Sequence, residues 1–438
     1  MIPVSETEHS PIGKASWRLL PLIGLGYGIA YIDRSNISFA ALQMNQELHF
    51  SASIYGLGAG LFSLSYCLLE IPSNLLLSRF GARRWIGRIM LTWGILAAGM
   101  MFVRTPWQFY VMRFLLGAAE AGFFPGVIFY LKNWFPASHS GRAISRFYIA
   151  VPLGAAFMGA ISGSLLQLHG IAGLSGWQWL FLVEGAPAIA LSLIVFRYLP
   201  DTPADARWLN DEERRWLASM LSRDAEAHPV ESRKLRATLL DPMVVKLGLC
   251  NFMILGSNYA FSFSAPTLLK AATHWDSSRV GFFMSGSALI GAVAMLLNGL
   301  HSDRRQERHL HVAAPLALMA VALMSIGLFD SPSVILPAYV LYYMGTYAVQ
   351  SAFWPIPSHA LRGASAAVGL AAIGSVGMFG GFLGPYLWGL AKDHTGSFRA
   401  GLLTLSGIYV VAAAAMCLLR LQLRATVGTF RLPDRTGL

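Results

Sequence analysis

The chain has 438 residues, of which 55% are apolar and only 13% are charged. Long runs with almost no charge recur along it, and each is near the roughly 20 residues that cross about 30 Å of hydrocarbon as a helix. This composition excludes a soluble domain, and the lack of alternating strand patterns excludes a transmembrane barrel. The sequence therefore predicts an all-α polytopic membrane protein.

Twelve apolar runs predict twelve membrane-spanning helices in two groups of six. The first group lies near 17–42, 54–78, 85–104, 107–131, 142–168 and 177–199. The second lies near 243–270, 279–300, 311–329, 333–356, 364–390 and 399–421. We therefore expect an N-terminal segment (1–16), an N-terminal half (17–199), a central loop (200–242), a C-terminal half (243–421) and a tail (422–438).

Lysine and arginine are unevenly divided between the two sides. Twenty-six of the 33 fall on the side of the N-terminal segment and central loop, here called the basic face, and five fall on the opposite face. Cytoplasmic loops carry such an excess. The split predicts an inner (plasma) membrane protein with both termini in the cytoplasm, and it explains the net charge of +11 without a nucleic-acid partner.

Several other functions lack the residues that they need. Cys67, Cys250 and Cys417 lie in apolar runs without paired spacing, so no disulfide framework or metal site is predicted. No nucleophile–base set or phosphate-binding loop occurs, and we expect neither a cofactor nor enzymatic activity. Residues 1–16 are polar and lead into the first span, so no signal peptide is expected.

The central loop carries mixed charge. Asn210 followed by Glu213 predicts a capping box at the start of a short surface helix. Trp208, Trp216 and Leu217 could rest on the membrane face, but we favour a solvated linker between the halves.

Four charged residues lie inside apolar spans. Asp33 and Arg34 are adjacent in span 1, while Arg113 and Glu120 are two helical turns apart in span 4 and share one face with Gly117. Each such charge costs roughly 2.5–3.5 kcal/mol at a helix centre, so it needs a partner or a function. Gly117 would leave room for something to approach the helix. The four form a neutral set that could exchange partners.

The chemistry of this set favours coupled uptake of a proton and an organic anion. Arginine holds a carboxylate with two hydrogen bonds. Burial raises the pKa of a carboxyl, whereas a neighbouring arginine lowers it. An anion that draws the arginine away therefore favours proton binding, although a purely structural ion network is the alternative. Glu70 and Glu184 could pair with arginines of the basic face, and for them we favour structure or gating over proton carriage.

Related basic turns follow the second span of each half. They read Asn74-x-x-x-Ser78-Arg79-Phe80-Gly81-Ala82-Arg83-Arg84 and Gly299-x-x-x-Asp303-Arg304-Arg305. Duplicated halves with a site between them are typical of transporters. We expect Arg79, Arg83, Arg84, Asp303 and Arg304 to form a cytoplasmic gate, pairing with helix C-termini and with acids across the seam between the halves.

These turns resemble the G-x-x-x-D-R-x-G-R-R motif of the major facilitator superfamily, with Asn74 and Ser78 replacing the first glycine and the aspartate in the first copy. Other stretches are similar to the anion:cation symporter branch, which includes organic-acid/proton symporters for tartrate, phthalate or sugar acids. They are Tyr31-Ile-Asp33-Arg34-Ser35-Asn36, Glu70-Ile-Pro72-Ser-Asn74, Arg113-Phe-Leu-Leu-Gly117-Ala-Ala-Glu120-Ala-Gly122-Phe-Phe-Pro125, Phe353-Trp354-Pro355 and Gly380-Gly381-Phe-Leu-Gly384-Pro385-Tyr386. The resemblance covers about residues 17–420 and implies the twelve-helix major facilitator fold.

The resemblance implies roles for individual residues. Asp33 and Glu120 would carry protons, Arg34 and Arg113 would contact the anion, and Tyr31 and Tyr66 would line the cavity. In the second half, the polar or aromatic residues that could complete the cavity are Asn258, Tyr259, Trp354 and Ser375. At four positions of this half, relatives often carry other side chains, so the identity of the substrate does not follow from any one relative. These positions are Ser264, Thr267, Gly374 and Met378.

The sequence thus predicts a monomeric, proton-coupled secondary transporter that imports a small organic anion by alternating access. A sugar acid, a hydroxy-dicarboxylate such as tartrate, or an aromatic carboxylate would fit. An exporter or exchanger on the same scaffold is the alternative within this class. A membrane sensor would need a larger signalling domain than the tail after Arg424. A membrane enzyme would need a nucleophile–base set, a metal site or a phosphate-binding loop.

Overall fold

A computed structural model describes residues 10–227, 235–360 and 364–428, and within these ranges all regular structure is helical. The α-helices are α1 (Pro11–Ser35), α2 (Ile37–Glu47), α3 (Ala52–Phe80), α4 (Ala82–Gly99), α5 (Pro106–Glu120), α6 (Phe123–Lys132), α7 (Ala137–Tyr148), α8 (Ala150–Leu165), α9 (Gly176–Tyr198), α10 (Asp211–Ala227), α11 (Leu235–Leu239), α12 (Pro242–Thr273), α13 (Ser277–Arg305), α14 (His309–Leu328), α15 (Pro332–Phe353), α16 (Pro355–Ala360), α17 (Ala364–Thr395) and α18 (Arg399–Gly428).

These helices form the twelve expected spans. Span 1 is α1 with α2, span 4 is α5 with α6, span 5 is α7 with α8, and span 10 is α15 with α16. Spans 2, 3, 6, 7, 8, 9, 11 and 12 are α3, α4, α9, α12, α13, α14, α17 and α18. Ten segments are long and apolar enough to cross a membrane by length and composition, and spans 1 and 10 complete the set.

Local sequence signals set where several helices begin. The Ser51 hydroxyl accepts a hydrogen bond from the Ile54 N–H at 3.2 Å and starts α3. Thr105 and Gln108 form a reciprocal capping box ahead of α5, with Pro106 at the first helical position. These caps satisfy N–H groups that have no partner inside their own helix, which is why the turns between spans are short and sharp.

The first part of the central loop packs against the N-terminal half, so our preference for a solvated linker is wrong for residues 201–227. Leu217 is fully buried, and Trp208 stacks on Trp134 with ring centroids 5.6 Å apart. The predicted capping box is confirmed, because the Asn210 and Glu213 backbone N–H groups donate to each other's side chains at 3.0 and 2.8 Å. A 2.6 Å hydrogen bond from Lys14 holds the pKa of Glu213 below its usual value.

The two halves meet through glycine-mediated backbone contacts toward the opposite face. A Cβ atom at Gly60 of span 2 would lie 2.3 Å from the Phe382 carbonyl oxygen of span 11. A Cβ atom at Gly159 of span 5 would lie 2.6 Å from the Gly281 carbonyl oxygen of span 8. Only glycine permits such close approach, so these positions determine how tightly the halves close on this side.

Polar groups reinforce this closure. The Asp393 carboxylate at the end of span 11 accepts hydrogen bonds from the Ala52 and Ser53 N–H groups at 3.0 and 2.8 Å, and so caps span 2 of the other half. The Tyr55 hydroxyl donates to the Phe263 carbonyl of span 7 at 2.9 Å. Both contacts join the halves directly.

Toward the basic face the helices pack within their own halves. There α6 and α7 pack against helices of the first half, while α11 and α16 pack mainly against helices of the second. Along spans 2 and 11, the Cys67 thiol reaches the Ser375 carbonyl oxygen at 3.5 Å. A Cβ atom at Gly374, one residue further toward the basic face, would meet no atom within 4 Å. The described hydrogen bonds between spans 2 and 11 thus lie between the opposite face and the level of Cys67 and Ser375.

The expected gate residues lie at the basic face, where the described ion pairs stay within one half. Arg83 pairs with Asp201 at 4.0 Å, and Asp303 pairs with Arg308 at 2.5 Å. Arg79, Arg84 and Arg304 are exposed. No ion pair among the described residues crosses the seam at this face, so pairing across it stays a prediction for another conformation.

We predict that Gly60→Ala weakens closure of the opposite face, because its new methyl group would overlap the Phe382 backbone. Spin labels at Arg104 and Asp330 should then report longer distances between the halves. Gly286→Ala is the matched control, since its methyl group would enter open space and alanine favours a helix by about 1 kcal/mol over glycine. Unchanged distances in Gly60→Ala would show that this contact does not control closure.

Candidate functional site

The centre of the first half is an ion pair between spans 1 and 4. Arg34 donates from Nη2 to Glu120 Oε1. Glu120 is completely buried, and its Oε2 has no hydrogen-bond partner within the described chain. The Arg34 side chain keeps 18% of its surface exposed, and its Nε is also without a partner there. Arg34 is therefore the member of the pair that a dissolved molecule can reach.

Span 4 unwinds directly after Glu120. Helix α5 ends there, and Gly122 adopts a left-handed conformation with φ of 84° before α6 begins. A Cβ atom on Gly122 would lie 2.4 Å from the Ser73 hydroxyl oxygen. The glycine thus makes a break in the span as well as a close contact, and broken helices are typical of transporter binding sites.

Arg113 is fully buried but does not pair with an acid among the described residues. Its Nε and Nη2 donate to the Gly58 and Ala59 carbonyls, each at 3.4 Å, and Nη1 has no partner there. The room that Gly117 leaves beside span 4 is filled by span 2 and not by a ligand. A Cβ atom there would lie 2.2 Å from the Phe62 carbonyl oxygen, so the backbone of span 2 occupies this space.

Asp33 points away from Arg34. It is 1% exposed, and its Oδ2 accepts a 2.8 Å hydrogen bond from Trp93 Nε1 of span 3. Oδ1 has no partner, and no described cation forms an ion pair with Asp33. Successive helical residues point about 100° apart, so adjacent residues face different neighbours. The four charges thus form one ion pair and two separate charges rather than one network.

Glu184 of span 6 is a further buried carboxyl. Its Oε1 accepts a 2.6 Å hydrogen bond from the Ser162 hydroxyl of span 5, and Oε2 has no partner within the described ranges. Pairing with an arginine of the basic face is therefore wrong for Glu184. Glu70 is half-buried and interacts electrostatically with Arg34, without an ion pair in the described structure.

Aromatic rings surround the two guanidinium groups. Phe62 lies within 5.4 Å of the Arg34 guanidinium carbon and 4.9 Å of that of Arg113, measured from the ring centroid. Arg34 also lies 5.1 Å from the Tyr66 ring. Tyr259 of span 7 interacts electrostatically with Arg34, which brings the second half to the site. Stacked aromatic faces hold arginine cations while leaving N–H groups free for a ligand.

The other predicted cavity residues occupy different surroundings. Tyr31 packs beside Tyr347 at the seam between the halves. Asn258 donates to Tyr342 and Thr346 at 3.3 and 3.4 Å inside the second half. Trp354 donates to Gln350 at 3.2 Å, where α15 meets α16. Ser375 lies opposite Cys67. Their role in binding stays a prediction.

Sequence reasoning missed Phe62 and Trp93. Phe62 is four residues before Tyr66, a spacing that puts both rings on one face of span 2. Trp93 is a buried indole whose N–H needs an acceptor, and Asp33 supplies it. Both residues resemble ordinary core residues in the sequence, so only their neighbours in other spans reveal them.

Comparison with known proteins agrees with this architecture. Residues 23–385 match the model of the Major Facilitator Superfamily. The chain is 41% identical over 412 residues to the "Putative tartrate transporter" of Agrobacterium vitis, covering 94% of this chain and 92% of that one. It is 39% identical over 400 residues to the "Quinolone resistance transporter" of Acinetobacter baumannii, covering 91% and 92%. It is 36% identical over 417 residues to the "Inner membrane transport protein RhmT" of Escherichia coli K12, covering 94% and 95%.

Solved structures share the fold. The bacterial homologue of the human lysosomal transporter Spinster, solved in an inward-facing and occupied conformation, superposes with a TM-score of 0.75. The sequences are 18% identical, and the match covers 91% of this chain and 96% of the other. This likeness supports the predicted twelve-helix fold.

We predict that Arg34 and Glu120 stabilise the protein only as a pair. Removing one partner of a buried ion pair typically costs roughly 3–5 kcal/mol, whereas replacing both by apolar residues is often nearly neutral. Arg34→Met and Glu120→Leu should each lower the midpoint of thermal unfolding in detergent, and the double variant should recover most of the loss. The exposed pair of Asp276 and Arg279, at 3.7 Å, is the control, and its cycle should show little coupling. Additive losses at Arg34 and Glu120 would contradict the prediction.

Proposed function

Because this chain belongs to the Major Facilitator Superfamily, we propose that it is a proton-coupled transporter that imports a small organic anion by alternating access. The observation that carries this proposal is the ion pair of Arg34 with Glu120. Its basic member is partly exposed, and its acidic member is fully buried. An arriving carboxylate competes for Arg34, and the buried Glu120 then needs a proton in place of its lost partner.

Recognition of the anion rests on the two arginines around Phe62. Arg34 Nε and Arg113 Nη1 are buried donors without a partner in the described structure, and such donors are costly unless a ligand satisfies them. A guanidinium fork matches the two oxygens of a carboxylate. Arg34 would bind the anion first, and Arg113 would complete the contact as the site closes.

Asp33 and Glu120 are the proposed proton carriers. Glu120 would lose its ion-pair partner when the anion binds Arg34. Asp33 is buried with one indole donor and no paired cation among the described residues, and an ionised carboxylate is costly in such surroundings. Because the two acids have different surroundings, one of them can bind a proton together with the substrate. A proton on the other acid would stabilise the empty site.

Polar groups of the cavity favour a hydroxylated acid. Tyr66 and Tyr259 present phenols near Arg34, and these can donate to hydroxyl or carboxylate oxygens. The names of the Agrobacterium vitis relatives refer to tartrate, which supports a hydroxy-dicarboxylate ahead of a sugar acid or an aromatic carboxylate. Asn258, Trp354 and Ser375 remain candidates for contact in a more closed conformation, with Tyr31 between the halves.

The proposed orientation places the basic face in the cytoplasm, with both termini there, in an inner membrane. The excess of lysine and arginine on that face supports it. In this orientation the glycine contacts between the halves lie toward the outer side, and the cytoplasmic side would be the one that opens. Arg79, Arg83, Arg84, Asp303 and Arg304 would close that side by pairing across the seam when the opposite face opens. We propose that the two halves rock as a monomer around the site.

Export or exchange is the second candidate. The Acinetobacter baumannii relative is named for quinolone resistance, and gradients rather than the scaffold set the direction of transport. In this alternative the same ion pair would release its anion outward.

Uptake into proteoliposomes tests the proposal. An inward proton gradient should drive accumulation of tartrate, whereas Asp33→Asn and Glu120→Gln should abolish accumulation because neither amide binds a proton. Asp330→Asn, an exposed acid in a loop of the opposite face, should behave like the wild type. Accumulation that ignores both the gradient and the two core variants would exclude proton coupling and leave exchange as the working mechanism.

Arg113→Lys tests anion recognition separately. A lysine keeps the charge but loses the planar fork, so we expect the KM for tartrate to rise about tenfold, the equivalent of one lost charge-assisted hydrogen bond. Arg104→Lys at the exposed opposite face is the matched control. An unchanged KM in Arg113→Lys would remove Arg113 from the binding site.

A further inference from the structure

Two histidines meet at the basic face of the second half, away from the site described above. His301 lies near the end of span 8, and His311 lies in the first turn of span 9. His301 Nδ1 is 2.8 Å from His311 Nε2. The ring centroids are 4.9 Å apart, with the ring planes tilted by 53°. Two ring nitrogens at this distance are joined by one hydrogen, so the pair is a defined acid–base contact.

A carboxylate determines which of these nitrogens carry hydrogens. His311 Nδ1 lies 3.0 Å from Glu307 Oε2, and a carboxylate only accepts hydrogen bonds. His311 Nδ1 therefore carries a hydrogen, and in the neutral ring His311 Nε2 must be an acceptor. His301 Nδ1 then donates to it, so the remaining basic nitrogen of the pair is Nε2 of His301, an exposed residue.

Glu307 is held firmly in the turn between spans 8 and 9. Its two carboxylate oxygens accept from the Leu310 N–H at 3.0 and 2.9 Å, and Oε1 forms an ion pair with Arg420 of span 12 at 3.2 Å. Burial alone would raise the pKa of Glu307, but the Leu310 N–H, His311 and Arg420 together hold that pKa below its usual value. Glu307 is therefore an ionised group that ties spans 8, 9 and 12 together.

Other hydrogen bonds fix the backbone around the two rings. Asn298 of span 8 donates to the His311 carbonyl at 3.0 Å and to the Ala348 carbonyl of span 10 at 2.9 Å. The Ser302 hydroxyl donates to the Glu307 carbonyl at 2.6 Å. These bonds join the segments that carry the two histidines and Glu307, so the contact between the rings belongs to a built cluster.

The acids of this cluster are paired before any proton is added. Glu307 pairs with Arg420, and Asp303 pairs with Arg308 at 2.5 Å. Helices α8 and α15, which also pack against span 8, contain no charged residue. One proton added to the histidines is therefore stabilised by Glu307, whereas a second would place two cations in contact. The other described charged or histidine side chains at this end of the packed elements are Arg304, Arg305, His309, Asp241 and Lys246.

We propose that His301 and His311 form a proton-binding site that takes up one proton and senses the pH on the side of the basic face. The proton binds His301 Nε2. The Nδ1–H bond of His301 then breaks as an Nε2–H bond forms on His311, which leaves a neutral His301 and a His311 imidazolium bonded to Glu307. No other bond changes. A second proton would set two N–H groups against each other, so the contact between the rings would break.

The bound proton strengthens the connection between spans. Charge-assisted hydrogen bonds are roughly twice as strong as neutral ones, so the imidazolium holds Glu307 more firmly. The turn held by Glu307 also carries Asp303 and Arg304, which the proposed gate would pair across the seam. Acidification on the side of the basic face should therefore slow transport. This consequence rests on the proposed function, whereas the proton site rests on the contacts of the two rings with each other and with Glu307.

Hydrogen–deuterium exchange at the imidazole C2 carbons, read by mass spectrometry, tests the site in the purified full-length protein without substrate. The exchange rate of each histidine follows the protonation of its ring. His311 should change in two steps as the pH falls through the range in which histidines titrate, because the two rings titrate together. In His301→Gln, whose amide binds no proton, His311 should change in one step.

His394→Gln is the matched control for this measurement, because His394 is an exposed histidine on the opposite face. It should leave both steps of His311 unchanged. A His311 profile that is the same in the wild type and in His301→Gln would overturn the proposal.

Tartrate exchange across proteoliposomes with equal pH on both sides tests the sensing role without a proton gradient. On acidification the wild type should slow about fivefold more than His301→Gln, the ratio expected from the extra strength of one charge-assisted hydrogen bond. Equal slowing in both proteins would overturn the sensing role and leave the proposed symport standing. If the wild type carries no tartrate at all, the proposed function fails, and exchange at the imidazole carbons still decides the proton site.

Discussion

The cost of burying charge governs the interior of this protein. A helical bundle in a membrane offers no bulk water, so each ionised group must find a counter-charge, a hydrogen-bond donor or a proton. Arg34 and Glu120 form an ion pair with each other, and Arg113 contacts two backbone carbonyls and the Phe62 ring. One guanidinium remains accessible, so under the proposed function an anion that binds Arg34 would change the charge balance around Glu120. Anion binding and protonation would then be linked in one equilibrium.

Glycine positions set the framework around these charges. Spans 2 and 11 and spans 5 and 8 approach at backbone distance where side chains are absent. Among the residues that the structure describes, contacts of this kind between the halves lie toward the opposite face. The break after Glu120 places this buried acid at the last residue of α5, and span 4 continues as a separate helix, α6.

The sequence predicted the parts of the structure that depend on hydrophobicity and charge cost. Runs of apolar residues located the twelve spans, and Asp33, Arg34, Arg113 and Glu120 stood out because buried charge is rare. The predictions that were wrong depended on the direction in which a residue points. Asp33 faces Trp93 and does not join the ion pair that its neighbour Arg34 forms with Glu120. Gly117 faces the backbone of span 2 rather than a cavity. The packing of residues 201–227 was not predicted either, because a sequence with Trp208 and Leu217 is compatible with a solvated linker and with a packed interface. The directions of these side chains are determined by contacts between segments that are distant in the sequence. The spacing of residues within one segment carries no information about such contacts.

The Asp393 cap of span 2 bears on the energy difference between conformations. It joins the halves by two hydrogen bonds at a water-exposed position. Water can replace such bonds when they break, so a cap of this kind stabilises by only about 0.5–2 kcal/mol. Exposed, replaceable bonds of this kind add little to the free-energy difference between the open and closed arrangements. A ligand that prefers one arrangement by a modest free energy can then reverse the preference.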